Sequence, residues 1–421
     1  MRQIAAAGSN ARGQLGLGHT DDAAVPTRPE TAGTHSGPAP ATPLELTGGA
    51  NHSLALVRGP HGAELWVCGD NTDGQLGLGE GSPPHTPVWT RCPLPTTPAD
   101  PPTAAACGWT TSFVVTAAGR VLVAGSNAHG QAGLGSVRGS PSFVQLPSAL
   151  DGHQPDSDSL PVLPPIRRIA CGLRHTLMLA VDSSVWACGA NRFGELGLAP
   201  FTKPVTIAQR IAGLPPAVDI ACGQHHTLVI CARSGRIAAF GKNRHGQLGA
   251  APSAVPASAD PIWTSLPGGA RAATAVAGWS TSGAVSDDGA LFLWGRCDRG
   301  QLGGHADAVR AADPLASAET PCAIRWSPFA VNLGCGFIEL SSDGAGRPRF
   351  AIAAGSEHML AVVAHPTGCR CVAWGWNEHG NCGVGHLADV HEPTPLVGMD
   401  PLPGGAVVAV GAGGGHSLVW V

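Results

Sequence analysis

Gly69-Asp70-Asn71-Thr72-Asp73-Gly74-Gln75-Leu76-Gly77 sets the architecture of this chain, because it occurs in seven versions. The others are Gly8-Ser9-Asn10 with Gly13-Gln14-Leu15-Gly16, Gly125-Ser126-Asn127 with Gly130-Gln131-Ala132-Gly133, and Gly189-Ala190-Asn191 with Gly194-Glu195-Leu196-Gly197. Further on come Gly241-Lys242-Asn243 with Gly246-Gln247-Leu248-Gly249, Gly295-Arg296-Cys297 with Gly300-Gln301-Leu302-Gly303, and Gly375-Trp376-Asn377 with Gly380-Asn381-Cys382-Gly383. So many glycines forbid a helix, and a return every fifty to eighty residues or so marks the turn of a repeated β unit.

A second phrase alternates with the first: Gly49-Ala50-Asn51-His52-Ser53, Cys107-Gly108-Trp109-Thr110-Thr111, Cys171-Gly172-Leu173-Arg174-His175-Thr176 and their later counterparts, ending in Gly414-Gly415-His416-Ser417. Each is followed by a short apolar stretch of strand length, a turn, and another such stretch leading into the Gly-x-Asn turn. A meander of this kind cannot bury its own faces, so the units must pack on one another. The amino end carries only the Gly-x-Asn half of a unit and the carboxyl end only the His-Ser half. Joined, they complete a seventh. The reading is an all-β, seven-bladed β-propeller closed by pairing of the N- and C-terminal strands, with residues 1–421 as a single domain.

The Pro-, Ala- and Ser-rich inserts between blades, such as Thr20 to Thr47, Gly81 to Thr103, Ser136 to Pro165 and Ala250 to Arg271, read as loops or tethers. The longest gap, Gly303 to Gly355, contains Phe329-Ala330-Val331, Phe337-Ile338-Glu339-Leu340 and Arg349-Phe350, which predict an extra strand or hairpin. The thirteen cysteines are scattered singly, as small buried hydrophobes of a reducing compartment would be. The first residues do not read as a charged-then-apolar leader and no apolar run approaches the ~20 residues of a membrane helix, so a soluble, intracellular protein is expected. Twenty-five basic against twenty-nine acidic residues, with no basic block longer than Arg167-Arg168, give no stripe for phosphates; direct nucleic-acid or membrane binding is not expected.

Nothing in the chain pairs a nucleophile with a base, and no Gly-Lys-Ser/Thr follows the glycine turns, so no catalytic residue and no cofactor is assigned. Five of the eighteen histidines (His52, His175, His226, His358, His416) share one repeat position, where a structural hydrogen bond to a turn carbonyl is the expectation. Cys369-Arg370-Cys371, with His365 and Cys382 nearby, lacks the spacing of structural zinc sites, and no metal is assigned.

The paired phrases resemble the repeats of the regulator of chromosome condensation family over essentially the entire chain, which implies the same seven-bladed propeller. Cys107-Gly108-Trp109-Thr110-Thr111, Ala354-Gly355-Ser356-Glu357-His358 and Trp374-Gly375-Trp376-Asn377-Glu378-His379-Gly380-Asn381-Cys382-Gly383 resemble more narrowly the fungal α-tubulin suppressor, or killer-toxin-insensitivity, group. That resemblance implies a non-catalytic propeller forming a heterodimer with a small CSL-type zinc-finger protein that carries iron. The pair would support diphthamide synthesis on elongation factor two and Elongator-dependent modification of wobble uridines in tRNA. Elongator is a further implied partner, and cytoplasm and nucleus are the implied compartments.

The residues that break the repeat mark a binding face. Trp109 and Trp279 replace the usual polar residue in one turn and Trp376 does so in the other, with Glu378 and His379 beside it. Aromatic anchors with charged neighbours have the composition of an interface hot spot, so Trp109, Trp279, Trp376, Glu378 and His379 are the candidate partner-binding residues. Two other classes compete with this reading. A Ran-type exchange factor needs a basic tail and a polar wedge, neither visible here, and an ultraviolet receptor needs tryptophans on consecutive blades, whereas Trp109 and Trp279 lie on separated ones. A generic adaptor propeller would share the fold without the partner.

Overall fold

Around each Gly-x-Asn turn the chain folds into a four-stranded antiparallel sheet, with the short strand Leu402–Pro403 added to one of them, and seven such sheets form a closed ring. The computed structural model describes residues 4–29, 42–60, 62–151, 162–199, 203–252, 254–304, 324–333, 339–342, 348–399, 402–403 and 409–421. Blade 2 runs from the axis outward as Thr42–Gly48, His52–Gly59, Gly62–Asp70 and His85–Cys92. Blades 3 to 7 repeat the order, with innermost strands Pro102–Cys107, Ile166–Cys171, Ala217–Cys222, Ala272–Ala277 and Ile352–Ala354. Blade 1 is built from both ends of the chain. Its inner strands Ala409–Ala412 and His416–Trp420 come from the carboxyl end, and Ile4–Gly8 and Ala23–Thr27 from the amino end. The seam is regular, with Ile4 opposite Trp420 and Gly8 opposite His416. The predicted propeller and its circular closure are therefore present.

Second strands such as His175–Ala180 and His226–Cys231 are buried along their whole length, because both faces of a blade press on neighbouring blades. Apolar clusters accordingly span junctions. Leu54, Leu56, Val67 and Leu76 of blade 2 pack with Val114, Leu122 and Phe143 of blade 3, each such side chain gaining about 1.5–3 kcal/mol from burial.

The repeated turn is a hydrogen-bonded clip. In blade 5, Leu248 N donates to Asn243 Oδ1 (2.9 Å), and Asn243 Nδ2 donates to the carbonyls of Ala250 (2.9 Å) and Val255 (2.7 Å) at the entry to the outer strand. His245 N donates to Gln247 Oε1 (2.8 Å). The leucine this bond pattern turns inward is fully buried. The first glycine is obligatory: at Gly69, with φ +102°, a Cβ would lie 2.3 Å from the carbonyl oxygen of Asn51.

Two readings of the sequence need correction. The inserts are not merely loops, because each begins with the outer strand of its blade: Ala23–Thr27, His85–Cys92, Ser140–Gln145 and Ala257–Thr264. Their prolines (Pro26, Pro87, Pro141, Pro261) disguise them, since proline is tolerated only on an edge strand whose N–H need not pair. The repeat histidines, for their part, do not reach turn carbonyls directly. His52 Nε2 meets Ser112 Oγ of the next blade at 2.9 Å, and Ser112 Oγ donates to the Gln75 carbonyl (2.6 Å). The same relay joins His175 to Thr227, His226 to Ser282, His358 to Ser417 and His416 to Ser53. A hydroxyl whose single proton already goes to a carbonyl can only accept from the ring, so Nε2 carries the imidazole proton. Five blade junctions are latched in this way, and at the other two the histidine is replaced by Thr111 and Thr281.

The extra hairpin in the longest gap is present as Glu339–Ser342 paired with Pro348–Phe350. Phe337 and Ile338 lie outside the described residues. The segment Phe329-Ala330 closes blade 6 as part of its outer strand, Ile324–Ala330. The described cysteines are free thiols, and burial pushes those of Cys171 and Cys371 up to about 12. Among the described residues no helix is long and apolar enough to cross a membrane.

Candidate protein-recognition site

In a meander the turn after the first strand and the turn after the third lie at the same end, so both repeated phrases emerge on one face of the disc. Around its axial mouth the inner turns are tied by main-chain bonds between blades: Gly414 N to Gly49 O (2.8 Å), Ala50 N to Trp109 O (3.0 Å), Gln224 N to Trp279 O (3.1 Å) and Trp279 N to Ser356 O (2.7 Å). These bonds fix the backbone of the two tryptophan turns. Blades 3 and 6, which carry Trp109 and Trp279, are also the two without the repeat histidine.

The rings of Trp109 and Trp279 meet over the axis with centroids 5.3 Å apart and planes tilted by 42°. Their lying on separated blades, used above to distinguish them from a receptor with neighbouring tryptophans, does not keep them apart. Blade number measures distance around the rim, whereas inner turns all approach the axis. Trp376 stands on blade 7, edge-on to His379 with centroids 5.4 Å apart, and its Nε1 donates to Glu378 Oε2 (3.2 Å). His379 Nδ1 lies 2.9 Å from Asp22 Oδ2, bridging blades 7 and 1.

All five candidate residues, Trp109, Trp279, Trp376, Glu378 and His379, line one cleft of about 360 Å³. The three tryptophans are half-buried and Glu378 is exposed. Gly414 and Gly415 form the floor: a Cβ on Gly414 would come within 3.4 Å of Trp109 Cζ3, and one on Gly415 within 3.5 Å of Trp376 Cζ3. The triple glycine Gly413-Gly414-Gly415 is the sequence signal for this floor, and it differs from the other repeat turns in its second and third glycines.

Sequence reasoning also missed Glu357 and Arg296 on the cleft wall. Glu357 is buried, its Oε1 accepting from Arg296 Nη1 (3.2 Å) and its Oε2 from Gln301 Nε2 (2.8 Å), while Arg296 Nη2 also reaches Asp298 Oδ2 (2.7 Å). Burial pushes the Glu357 carboxyl up, opposed by Gln301 and Arg296. The cleft thus joins indole faces to a braced ion pair, a surface suited to gripping an apolar side chain beside polar groups. Among the described residues no group of three or more His, Cys, Asp or Glu is arranged to hold a metal ion. Cys369, Cys371 and Cys382 are buried in the blade 7 core.

A family model described as the RCC1-like domain matches residues 139–419, and one for the regulator of chromosome condensation (RCC1) repeat matches residues 63–115. The chain belongs to the RCC1-like family. It is 32% identical to the mouse secretion-regulating guanine nucleotide exchange factor, across 98% of this chain and 82% of that protein. It is 24% identical to the RCC1 repeat-containing protein C10F6.04 of Schizosaccharomyces pombe, across 98% and 97%. Prp20p from Saccharomyces cerevisiae superposes with a TM-score of 0.79 at 20% identity, covering 100% of this chain and 91% of that one, a likeness of fold.

Proposed function

We propose that this RCC1-like propeller works by recognition, holding a protein partner in the tryptophan cleft of its turn face. The observation that carries the reading is the convergence of Trp109, Trp279 and Trp376, the residues that break the repeat, on one half-buried cleft. Side chains that only filled a blade would have no reason to gather at the axial mouth. The partner we propose is a small CSL-type metal-binding protein of the diphthamide pathway, in line with the resemblance of Trp374 to Gly383. The heterodimer would support diphthamide synthesis on elongation factor two and, with Elongator, wobble-uridine modification of tRNA, in cytoplasm and nucleus. The propeller itself supplies no metal, cofactor or reacting group in this reading.

A second reading is favoured by the 32% identity to a secretion-regulating guanine nucleotide exchange factor. On it the occupant of the face is a small GTPase of the Ran type, and the function is release of its nucleotide. One experiment separates the two. The full chain is immobilised and offered a purified CSL-type protein and, separately, Ran loaded with a fluorescent nucleotide. Retention of the CSL-type protein, lost at least about tenfold in Trp376→Ala, is the expected result, together with loss of diphthamide in a deletion strain. Accelerated nucleotide release would replace this reading with the second, and retention of neither leaves a generic adaptor. Normal diphthamide in the deletion strain counts against the first reading whatever the binding result.

A further inference from the structure

Beside the tryptophan cleft, on the turn face of blades 5 and 6, lies a second recess of about 270 Å³ lined by Gln224, His225, Lys242, Arg244, His245 and Arg296. Trp279, Arg296 and Glu357 line both spaces, so the two are contiguous. The second recess is cationic. Lys242 Nζ lies 5.2 Å and Arg192 Cζ 5.7 Å from the ring centroid of Phe193, which also meets the His225 ring at 5.1 Å. Burial, with Lys242, Arg174 and Arg192 adding to it, holds the His225 imidazole down at about 4.

What distinguishes these cations is that no carboxylate pairs with them: of the two acidic groups nearby, Glu357 is taken by Arg296 and Gln301, and Glu195 Oε2 accepts from Phe193 N (2.6 Å). Arg296 is held by Asp298 and Glu357, and Arg299 lies 3.7 Å from Asp389. Arg174, Arg192, Lys242 and Arg244 make no ion pair among the described residues, although the chain as a whole has a net charge of −4. Gathering like charges around one ring costs free energy unless an anion joins them. One of the chain's two lysines, Lys203 and Lys242, is placed here. We propose that this recess, together with the adjoining blade 4 turns that carry Arg192 and Arg174, is a subsite for an acidic peptide segment, its carboxylates meeting Lys242, Arg244, Arg192 and Arg174 while a flanking apolar residue enters the tryptophan cleft. A nucleic acid fits less well. Its backbone repeats charge over many residues and needs a continuous basic track, whereas this sector ends at Asp298 and Glu357 on one side and, across blade 3, at Asp70 and Asp73 on the other.

The inference concerns the peptide chemistry of the face and stands whether or not the CSL-type partner is the natural one. Its test uses the full chain and three fluorescent probes: a peptide of Asp and Glu with one Leu, its Asn/Gln analogue, and a uridine oligonucleotide of equal charge. The acidic peptide is expected to bind at least about tenfold tighter than its neutral analogue and to weaken steadily between about 0.05 and about 0.5 M salt. Lys242→Glu with Arg244→Glu should remove that preference while leaving the thermal melt unchanged. Arg271→Glu, at the opposite end of blade 6, should not affect it. Equal binding of acidic and neutral peptides, or an unchanged preference in the double variant, overturns the proposal. Tighter binding of the oligonucleotide than of the peptide overturns it in favour of a nucleic-acid site.

Discussion

At the scale of single residues, the repeat is a set of contacts that only particular side chains satisfy. Gly69 recurs in all seven turns of this chain because its backbone has φ +102° and a Cβ there would lie 2.3 Å from the Asn51 carbonyl oxygen. Gly69→Ala should therefore lower stability by about 2–4 kcal/mol through strain and displacement of the second strand; a chemical denaturation curve measures it, and a midpoint within error of the parent would contradict the account. The same logic explains Gly223, three residues before His226: a Cβ there would sit 2.0 Å from the ring's Cε1. The Gly-x-x-His spacing thus leaves room for an imidazole lying on the backbone of its own turn. The spacing was plain in the sequence. The histidine's partner was not, because Ser282 lies 56 residues away on another blade.

At the scale of elements, the Gly-x-Asn turn joins the third strand of a blade to the insert that follows. Asn243 accepts one main-chain bond and donates two, both to the insert leading to Ala257–Thr264. Asn243→Ala should cost about 2–3 kcal/mol and release the outer strand before the rest of the blade unfolds. Limited proteolysis would then cut first between Ala250 and Ala257, and an unaltered cleavage pattern would show that the clip is dispensable. Blade 6 carries Cys297 where the other turns have asparagine, and its following segment is also the longest. The outer strands were the elements least legible in the sequence. Their prolines and small polar residues read as linker, and only pairing with the third strand, each time through a register shift at the turn glycine, makes them strands.

At the scale of the whole molecule, the ring is held shut by the amino- and carboxyl-terminal strands and by the histidine relays at five junctions. Burial holds the imidazoles of His52 and His358 down at about 4, and those of His175, His226 and His416 at about 3, against an ordinary value of 6.5. Their folded pKa values lie below the unfolded one, so the unfolded chain takes up protons first as pH falls. The contribution is complete above pH 6.5 and is lost progressively towards pH 4 for His52 and His358 and towards pH 3 for the other three. Each histidine adds about 1.4 kcal/mol per pH unit to the slope. Thermal midpoints should drop steeply between pH 6 and pH 5, by roughly the range in which only the unfolded histidines titrate, and less steeply in His175→Gln/His226→Gln; a flat profile would show that the relays are not protonation-sensitive.

The sequence by itself determined the number of blades, the place of the seam and the candidate recognition residues, because glycine turns, alternating strands and departures from a repeat are local signals read in order. Only the tertiary structure decided what those residues do together. Closing the circle brings inner turns of distant blades to one axis, so that Trp109 and Trp279, 170 positions apart in the chain, touch beside Gly414. The side-by-side packing of blades 4 and 5 gathers Arg174, Arg192, Lys242 and Arg244 from turns that show no basic block in the sequence. Charge and aromatic clusters depend on distance in space, and in a propeller residues one blade apart in space are half a hundred apart in sequence.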